Sequence, residues 1–426
     1  MATTISIKAS LDDPPMGPYN EEVKPSWDVP RYCENDPEYA DESKHGLENN
    51  GVLSKTFKQM LSDIGQFNNL RRVEVDFDWE VVGETSIGNG GHHREHTEYR
   101  VPFLMNVFRA LNHPEHPAAK VHSLSICNLH DLSDYETLNS DDFKAVLSRI
   151  DTLELCIATE YQQHSPESSI LEPESHRFFG KDLIEYWLAP VQRNLVNLKI
   201  YSNEYWGWLP KCDLRPLHFP QLKDLALGNM SFTHDWQLDW IISHGSSLES
   251  LTLDYCPIVH DALVGRPQDS ERYVKLNDDY TLPQDDSRDS YWTYKSRWHD
   301  YFRKLATELP HLRRVRIGNG PWDSHWEYLS AATPFKAAAS LPTQLEGARY
   351  HIYDYGSGPS AWIQPADADS QDNSTDKITE LEEQYADCGW DEEDEPPRPS
   401  YPDCWDKDQE ALNELVAVVE SRKNRK

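Results

Sequence analysis

The segments LVNLKI (195–200), LKDLAL (222–227) and LESLTL (248–253) share one spacing of apolar residues. Each has an apolar residue, two free positions, a second apolar residue, one free position and a third. Looser copies begin at Leu70, Val121, Ile150 and Leu312. Because apolar and other residues alternate at the end of each copy, the pattern predicts one short strand per copy, and its recurrence predicts a parallel stack of such strands.

Helices are predicted between the strands because an apolar stripe with helical spacing precedes the copies. Phe143, Val146 and Leu147 share such a face ahead of Ile150, and Ser140 stands where it can cap that helix. A helix–strand unit of this size cannot bury its apolar face alone. The units are therefore expected to stack on one another.

Two copies carry the polar residue that often closes such a repeat, Cys256 in the expected place and Asn229 one position early. This combination is the leucine-rich-repeat signature. The copies at residues 195, 222 and 248 follow at the usual interval of ~20–29 residues, whereas the other gaps are longer. The sequence therefore predicts an α/β fold: an irregular leucine-rich-repeat solenoid with a parallel β-sheet stack, helices on the outer face and long insertions.

Composition divides the chain into four parts. Residues 1–50 are rich in proline and acid and are predicted to form an extended leader laid along the first repeat, and residues 51–362 the solenoid. Residues 363–405 include the acidic run 391–395 and are predicted to be disordered. Residues 406–426 are predicted to form a terminal helix with a basic end. The basic end has two interpretations. Its cations stabilise the C-terminus of this helix, or they form a nuclear signal.

The overall charge restricts the classes of partner. The formal net charge of −32 disfavours binding to phosphate backbones or anionic membrane surfaces, so neither a nucleic acid nor a membrane is expected as a partner. Seven cysteines without CxxC pairs do not resemble a disulfide framework. The N-terminal residues also lack the apolar core of a secretory signal. The predicted location is the cytoplasm or the nucleus.

The stretch Phe219–Pro257, with its FPQLKDLALGN opening and the DWQLDW segment at 235–240, resembles the repeat region of filamentous-fungal F-box proteins. The block from Trp298 to Arg313 is similar to the final repeat of the same group. The resemblance implies a substrate-binding part of a ubiquitin-ligase receptor, in which an F-box binds the linker subunit of a cullin–RING ligase. The leader contains no Leu-Pro-x-Glu-like opening, so recruitment of that linker subunit is left open.

One segment has the order of a zinc-hydrolase motif. His92, Glu95 and His96 give His-x-x-Glu-His, which on a helix would direct two imidazoles to one metal while the glutamate activates water. A glycine-rich stretch precedes it, so the segment is predicted to be a loop, where the imidazoles are not fixed on one side. A zinc-dependent hydrolase is therefore the alternative function, and the main prediction is a protein that is not an enzyme and has no cofactor and no metal.

The remaining candidate site is the concave face of the predicted stack, where residues between the apolar positions point away from the helices. We expect this face to bind a protein partner, and a basic segment of that partner would be favoured opposite Asp224 and Asp254. The aromatic residues Tyr205, Trp206 and Trp208 could be a binding hot spot or could cover the core. The predicted partner-binding residues are Arg72, Glu74, Asp76, Asn197, Lys199, Tyr201, Asp224, Ser250, Thr252, Asp254, Arg314 and Arg316.

Overall fold

The structure is a computed structural model, and it describes part of the chain. The described residues are 4–8, 47–48, 52–53, 61, 63–64, 67, 69–77, 81–82, 95–113, 120–159, 173–264, 267–281, 290–319, 335, 339–345, 349–354 and 402–423. Most of the predicted acidic disordered segment, residues 363–401, lies outside the described residues. No described helix has both the length and the apolar character needed to cross a membrane.

Fifteen strands are assigned in the described residues, in chain order. They are β1 Thr4–Lys8, β2 Leu47–Glu48, β3 Val52–Leu53, β4 Arg72–Asp76, β5 Val81–Val82, β6 Glu95–His96, β7 Ser123–His130, β8 Thr152–Ala158, β9 Asn197–Ser202, β10 Asp224–Gly228, β11 Ser250–Asp254, β12 Ile258–Val264, β13 Ser290–Thr293, β14 Arg314–Gly318 and β15 Tyr350–Asp354.

The helices lie mainly between these strands. They are α1 Thr97–Leu111, α2 Tyr135–Asn139, α3 Asp141–Leu147, α4 Pro173–Arg177, a π-helix Phe178–Leu188, a 3₁₀ helix Ala189–Val191, α5 Asp235–Ile242, α6 Trp298–Glu308 and α7 Trp405–Lys423. Ser140 begins α3, where its hydroxyl accepts a hydrogen bond from the N–H of Phe143 at 3.2 Å, as the sequence predicts.

The main sheet has eight parallel strands in the order β1-β4-β7-β8-β9-β10-β11-β14. From β4 onward, this order follows the chain in one direction without reversal. All seven predicted repeat copies supply one strand each to this sheet, and the predicted α/β class with a parallel sheet is confirmed. Residues 4–8, within the predicted leader, add an edge strand beside β4.

The apolar positions of the strands form two continuous rows that face the helices. At the centre of the sheet these rows contain Leu198, Leu225 and Leu251, all fully buried. Aromatic side chains of the helical layer pack edge to face behind the strands, with the ring of Phe143 4.8 Å from Phe108 and 5.0 Å from Trp187. The main core therefore lies on the helical side of the sheet, and a smaller apolar cluster around Tyr201 and Phe335 lies on the other side.

The turn that follows each strand recurs in several units. Asn128 and Asn229 each have a φ of 57° directly after the strand register, a left-handed backbone that asparagine tolerates better than most residues. The side-chain amide of Asn128 donates to the carbonyl of Phe77 at 2.8 Å, and that of Asn229 to Ser202 at 2.9 Å. Each amide thus links one unit to the backbone of the unit before it.

A second, smaller sheet joins three segments that are distant in sequence, in the order β13-β12-β15. The strand β15 follows the last strand of the main sheet in the chain, but it pairs with β12 and not with the main sheet. Trp208 connects the two parts, because its ring packs edge to face against Trp292 at 5.5 Å and Tyr353 at 5.0 Å.

The C-terminal helix α7 holds both ends of α6. Asp408, fully buried, accepts a hydrogen bond at its Oδ1 from the N–H of His299 in the first turn of α6 at 3.0 Å. Arg422 donates to the carbonyls of Leu309 at 2.8 Å and Ala306 at 2.6 Å at the other end. An anion at the N-terminus and a cation at the C-terminus both stabilise the α6 dipole. The basic end of α7 thus serves a helix other than its own.

Candidate functional site

The face of the main sheet opposite the helices carries three rows of side chains, defined here as the polar face. The first row contains Arg72, Ser123, Thr152, Asn197, Asp224, Ser250 and Arg314; the second contains Glu74, Ser125, Glu154, Lys199, Ala226, Thr252 and Arg316; the third contains Asp76, Cys127, Cys156, Tyr201, Gly228, Asp254 and Gly318. All twelve residues predicted to bind a partner lie in these rows.

Parallel strands position these side chains because strand residues alternate between two faces. The one-to-one register between neighbouring strands aligns equivalent positions, such as Asp224 with Asn197 and Ser250. Most parallel sheets are covered on both faces and read as continuous apolar runs. A parallel sheet with polar and charged rows on one face is therefore unusual, and it indicates a surface with a role beyond packing.

An ion network crosses the first half of the polar face. Arg72 contacts Glu74 at 2.7 Å and also pairs with Glu154, whose other oxygen lies 2.8 Å from the Lys199 ammonium. Burial alone would raise the pKa of Glu154, but the bonds from Arg72 and Lys199 outweigh it and hold that pKa below its ordinary value. The carboxylate stays charged and ties β4, β8 and β9 together.

Accessibility falls from the first row to the third. Arg314 is exposed and Asp224 is half-buried, whereas Tyr201 and Asp254 are each 0% exposed. A Cβ at Gly228 would lie 2.2 Å from the Tyr201 ring, so the glycine leaves room for that ring to lie flat across the sheet. The ring of Phe335 then packs edge to face on Tyr201 at 5.6 Å.

Four of the twelve predicted contact residues are buried in the structure. Tyr201 is covered by the ring of Phe335, and Asp254, which lies in the same row, is also buried. Ser250 and Thr252 have short side chains on a central strand, 5% and 3% exposed, where flanking longer side chains can shield them. Arg72, Glu74, Asp76, Asn197, Lys199, Asp224, Arg314 and Arg316 keep accessible surface.

Three charges on the accessible part of the face have no ion-pair partner among the described residues: Asp224, Arg314 and Arg316. Arg314 and Arg316 lie on β14, two strands away from Asp224. The predicted basic segment opposite Asp224 and Asp254 has only Asp224 available, since Asp254 is buried. The open charges are therefore one acid in the middle and two arginines at the end.

The zinc-hydrolase alternative has little geometric support. Glu95 and His96 form the short strand β6 beside β5, and helix α1 begins after them, so they do not lie on a helix. His92 lies outside the described residues.

Of the two interpretations of Tyr205, Trp206 and Trp208, the burial of their side chains supports the one in which they cover the core. Trp206 and Trp208 are 0% and 1% exposed, and Tyr205 is buried as well. The indole N–H of Trp206 donates to the carbonyl of Gly228 at 2.8 Å, and its ring stacks on Phe179 at 5.6 Å. These rings attach the loop after β9 to the sheet and leave no surface for an interface anchor.

One cluster that sequence reasoning missed has the residue types of a metal site: His299, Cys404 and Asp408 lie with ligand atoms within 4.8 Å of one another. The Asp408 carboxylate is already used, because Tyr350 donates to it at 3.0 Å and Arg349 pairs with it at 3.4 Å. A guanidinium beside the carboxylate opposes a metal cation. The cluster acts as the cap of α6, and no local sequence signal could find residues so far apart.

The arrangement offers recognition by charge and hydrogen bonding, and the described residues show no nucleophile–base pair within it. No family model, curated protein or solved structure matches the chain. A function therefore has to be argued from the geometry of the polar face and its surroundings.

Proposed function

We propose that the chain is a non-catalytic protein-interaction module, built as an irregular leucine-rich-repeat solenoid whose polar face binds a partner protein. The support is the strand order, which follows the chain in one direction with helices α1, α3, α5, α6 and α7 packed in the core behind one face. Asn128, Asn229 and the thiol of Cys256, which donates to the Leu227 carbonyl at 3.3 Å, join successive units as a repeat stack requires.

The observation that carries the proposal is the set of charges on this face that have no ion pair among the described residues. Glu74 and Glu154 balance Arg72 and Lys199, whereas Asp224 and the two β14 arginines have no ion-pair partner within the described part of the chain. An extended partner segment with a basic residue opposite Asp224 and acidic residues opposite β14 would complement them. Such charges set the rate and specificity of association more than its affinity.

The resemblance to F-box proteins extends this proposal to the substrate-binding part of a ubiquitin-ligase receptor. The cullin–RING linker subunit remains a separate question, because the sequence has no evident F-box opening. We further propose a cytoplasmic or nuclear location, since all five described cysteines are free thiols, as expected of reducing compartments.

The test is affinity purification of the tagged chain from its native source, followed by mass spectrometry. The variant Arg314→Glu/Arg316→Glu reverses the open cations, and we expect it to lose partners that the wild type captures. The control Arg193→Glu/Arg303→Glu makes the same charge change at exposed residues outside the three rows and should retain them.

Equal capture by both double variants would refute binding through the polar face. Recovery of a cullin and its linker subunit with the wild type would support the ligase role. Recovery of other proteins alone, dependent on Arg314 and Arg316, would leave a repeat-based binder without that connection.

A further inference from the structure

A cavity of about 330 Å³ lies away from the polar face, between the π-helix and the segment 274–280. Ligand pockets in proteins are usually about 300–1,000 Å³, so this one can hold a single large side chain or a small molecule. Gly180 of the π-helix forms part of its wall, and helices of this wide type recur at functional sites.

The lining combines an apolar part with a polar part. Trp208, Leu209 and Val274 are buried and supply the apolar surface. Asn277 and Asp278 are exposed and supply carbonyl and carboxylate oxygens, and half-buried Tyr280 supplies a ring and a phenol. The buried imidazole of His176 also contributes to the lining.

The charge of the lining is decided by Asp278. Lys211, the lysine of the cavity, is already neutralised, since Asp269 lies 3.5 Å and Glu271 3.8 Å from its ammonium. That ammonium also sits 4.0 Å from the centre of the Tyr273 ring. Asp278 has no ion pair among the described residues. The one charge of the cavity lining without an ion pair among the described residues is therefore the negative charge of Asp278.

The segment that presents Asp278 is held in a defined conformation. The N–H of Asn277 donates to the carbonyl of Thr281 at 2.8 Å, which closes the turn around Asp278. Tyr280 has a φ of 66°, a left-handed backbone that costs free energy in a residue with a bulky side chain and is often found at binding sites. The guanidinium of Arg177 lies 5.5 Å from the centre of the Tyr280 ring, so a cation of the chain itself occupies one face of this ring and leaves only the other face for a ligand.

We propose that this cavity binds the cationic side chain of an arginine or lysine carried by a protein partner. The methylene stem would pack on the apolar lining, and the charged head would meet Asp278 and the Tyr280 ring. A cation with an apolar stem matches both halves of the lining, whereas an anion would meet Asp278 unfavourably. The inference does not depend on the polar face.

The test is titration of the full chain with N-acetyl-L-arginine amide, followed by saturation-transfer NMR. The neutral isostere N-acetyl-L-citrulline amide should bind about fivefold more weakly, because it keeps the shape and loses the charge. Propylguanidine has the guanidinium and the same stem without a backbone and with the same single charge. It should bind no more tightly than the arginine probe if the cavity recognises a peptide.

Two variants of one loop provide a matched pair. Asp278→Asn should weaken the arginine probe about fivefold. Asp279→Asn removes the same charge at an exposed neighbour that does not line the cavity, and it should leave binding unchanged within about twofold. Gly180→Leu, which extends a side chain from the wall, should abolish binding, and thermal melting checks that each variant is folded.

The proposal is overturned if the arginine probe does not bind the wild type or if the citrulline probe binds equally well. Equal weakening by Asp278→Asn and Asp279→Asn would show a general charge effect and would also overturn it. Tighter binding of propylguanidine would reject a peptide partner as the source of the cation.

Discussion

At the scale of single residues, Glu154 determines whether the polar face is stable. Its side chain is 6% exposed and lies between Arg72 and Lys199, whose side chains are 26% and 25% exposed. Removing one partner from a buried pair leaves the other charges uncompensated and costs more than the pair itself contributes. The network therefore stabilises the fold. In the proposed function, Asp224, Arg314 and Arg316 are the charges that contact a partner.

Glu154→Gln is expected to lower the free energy of unfolding by about 2–3 kcal/mol, because it leaves Arg72 and Lys199 without their shared carboxylate. Urea denaturation at pH 7 measures this. Glu249→Gln, which breaks the exposed pair with Lys223 at 3.2 Å, should cost less than about 1 kcal/mol. Equal costs for the two variants would contradict the burial argument.

The same carboxylate also gives a pH dependence. Its folded pKa lies below the ordinary value of 4.5, so the stabilisation is present above about pH 4.5 and is lost as pH falls through the folded pKa. The stability difference between wild type and Glu154→Gln should therefore shrink in acid. A difference that stays constant from pH 7 to pH 3 would show that the charge of Glu154 is not responsible.

His244 gives a second pH-dependent contribution. Its Nε2 accepts a hydrogen bond from the N–H of Phe219 at 3.1 Å, which requires the neutral ring. Burial, together with His218, lowers the pKa of His244 from 6.5 to about 4. Stability is then full above pH 6.5 and falls as pH drops toward 4, by on the order of 3 kcal/mol. His244→Gln should remove most of that slope, and His311→Gln, at an exposed site, should not.

At the scale of elements, α7 is the part whose role is least visible in the sequence. Its apolar face of Leu412, Leu415 and Val419 is readable as a helix, and the structure places a helix there. The contacts of Asp408 and Arg422 with the two ends of α6 are not readable, because they join residues more than a hundred positions apart.

Asp408→Ala is expected to lower the free energy of unfolding by about 2–3 kcal/mol, since it leaves the N–H of His299 and the guanidinium of Arg349 without their acceptor. Arg422→Ala should cost about 1 kcal/mol. The two sites act at opposite ends of α6, so their costs should add within about 0.5 kcal/mol in the double variant. Asp406→Ala, at an exposed site on α7, is the control; a cost similar to that of Asp408→Ala would contradict the cap.

At the scale of the whole molecule, the main sheet grows one strand at a time, and each strand pairs only with its neighbours. Stability in such a stack is close to a sum of unit and neighbour contributions. We expect amide hydrogen exchange to be slowest in the central strands β7, β8, β9 and β10 and faster in the two edge strands β1 and β14, which have one neighbour each. Uniform protection across all eight strands would contradict this neighbour-limited picture.

The sequence predicted the main sheet because seven copies of one pattern specify both the strands and their two faces. Leu195, Leu222 and Leu248 fixed the register so well that all twelve chosen positions fell in the polar rows. The accessibility of those rows was not predictable. It depends on Phe335, a single aromatic residue outside any repeat, and on Gly228, which lets the Tyr201 ring lie flat.

The second sheet was not predicted, because it too depends on residues outside the repeated pattern. Its strands β12 and β13 come from an insertion within the stack, and β15 follows the last repeat strand, so no fixed period relates them. The cavity beside Asp278 depends on contacts between the same insertion and the π-helix. Local patterns specify local units, whereas contacts between insertions require the folded arrangement.

The contacts of α7 with the two ends of α6 also have a use in protein engineering. The hydroxyl of Tyr350, at the start of β15, donates to Asp408 near the start of α7, so the two anchors of the connection 355–401 lie side by side. Closing a chain between adjacent anchors becomes only slowly more costly with length, by about 0.6 kcal/mol per doubling. We expect that a reporter domain whose own termini are close together can be inserted into this connection while the main sheet before it and α7 after it keep their fold.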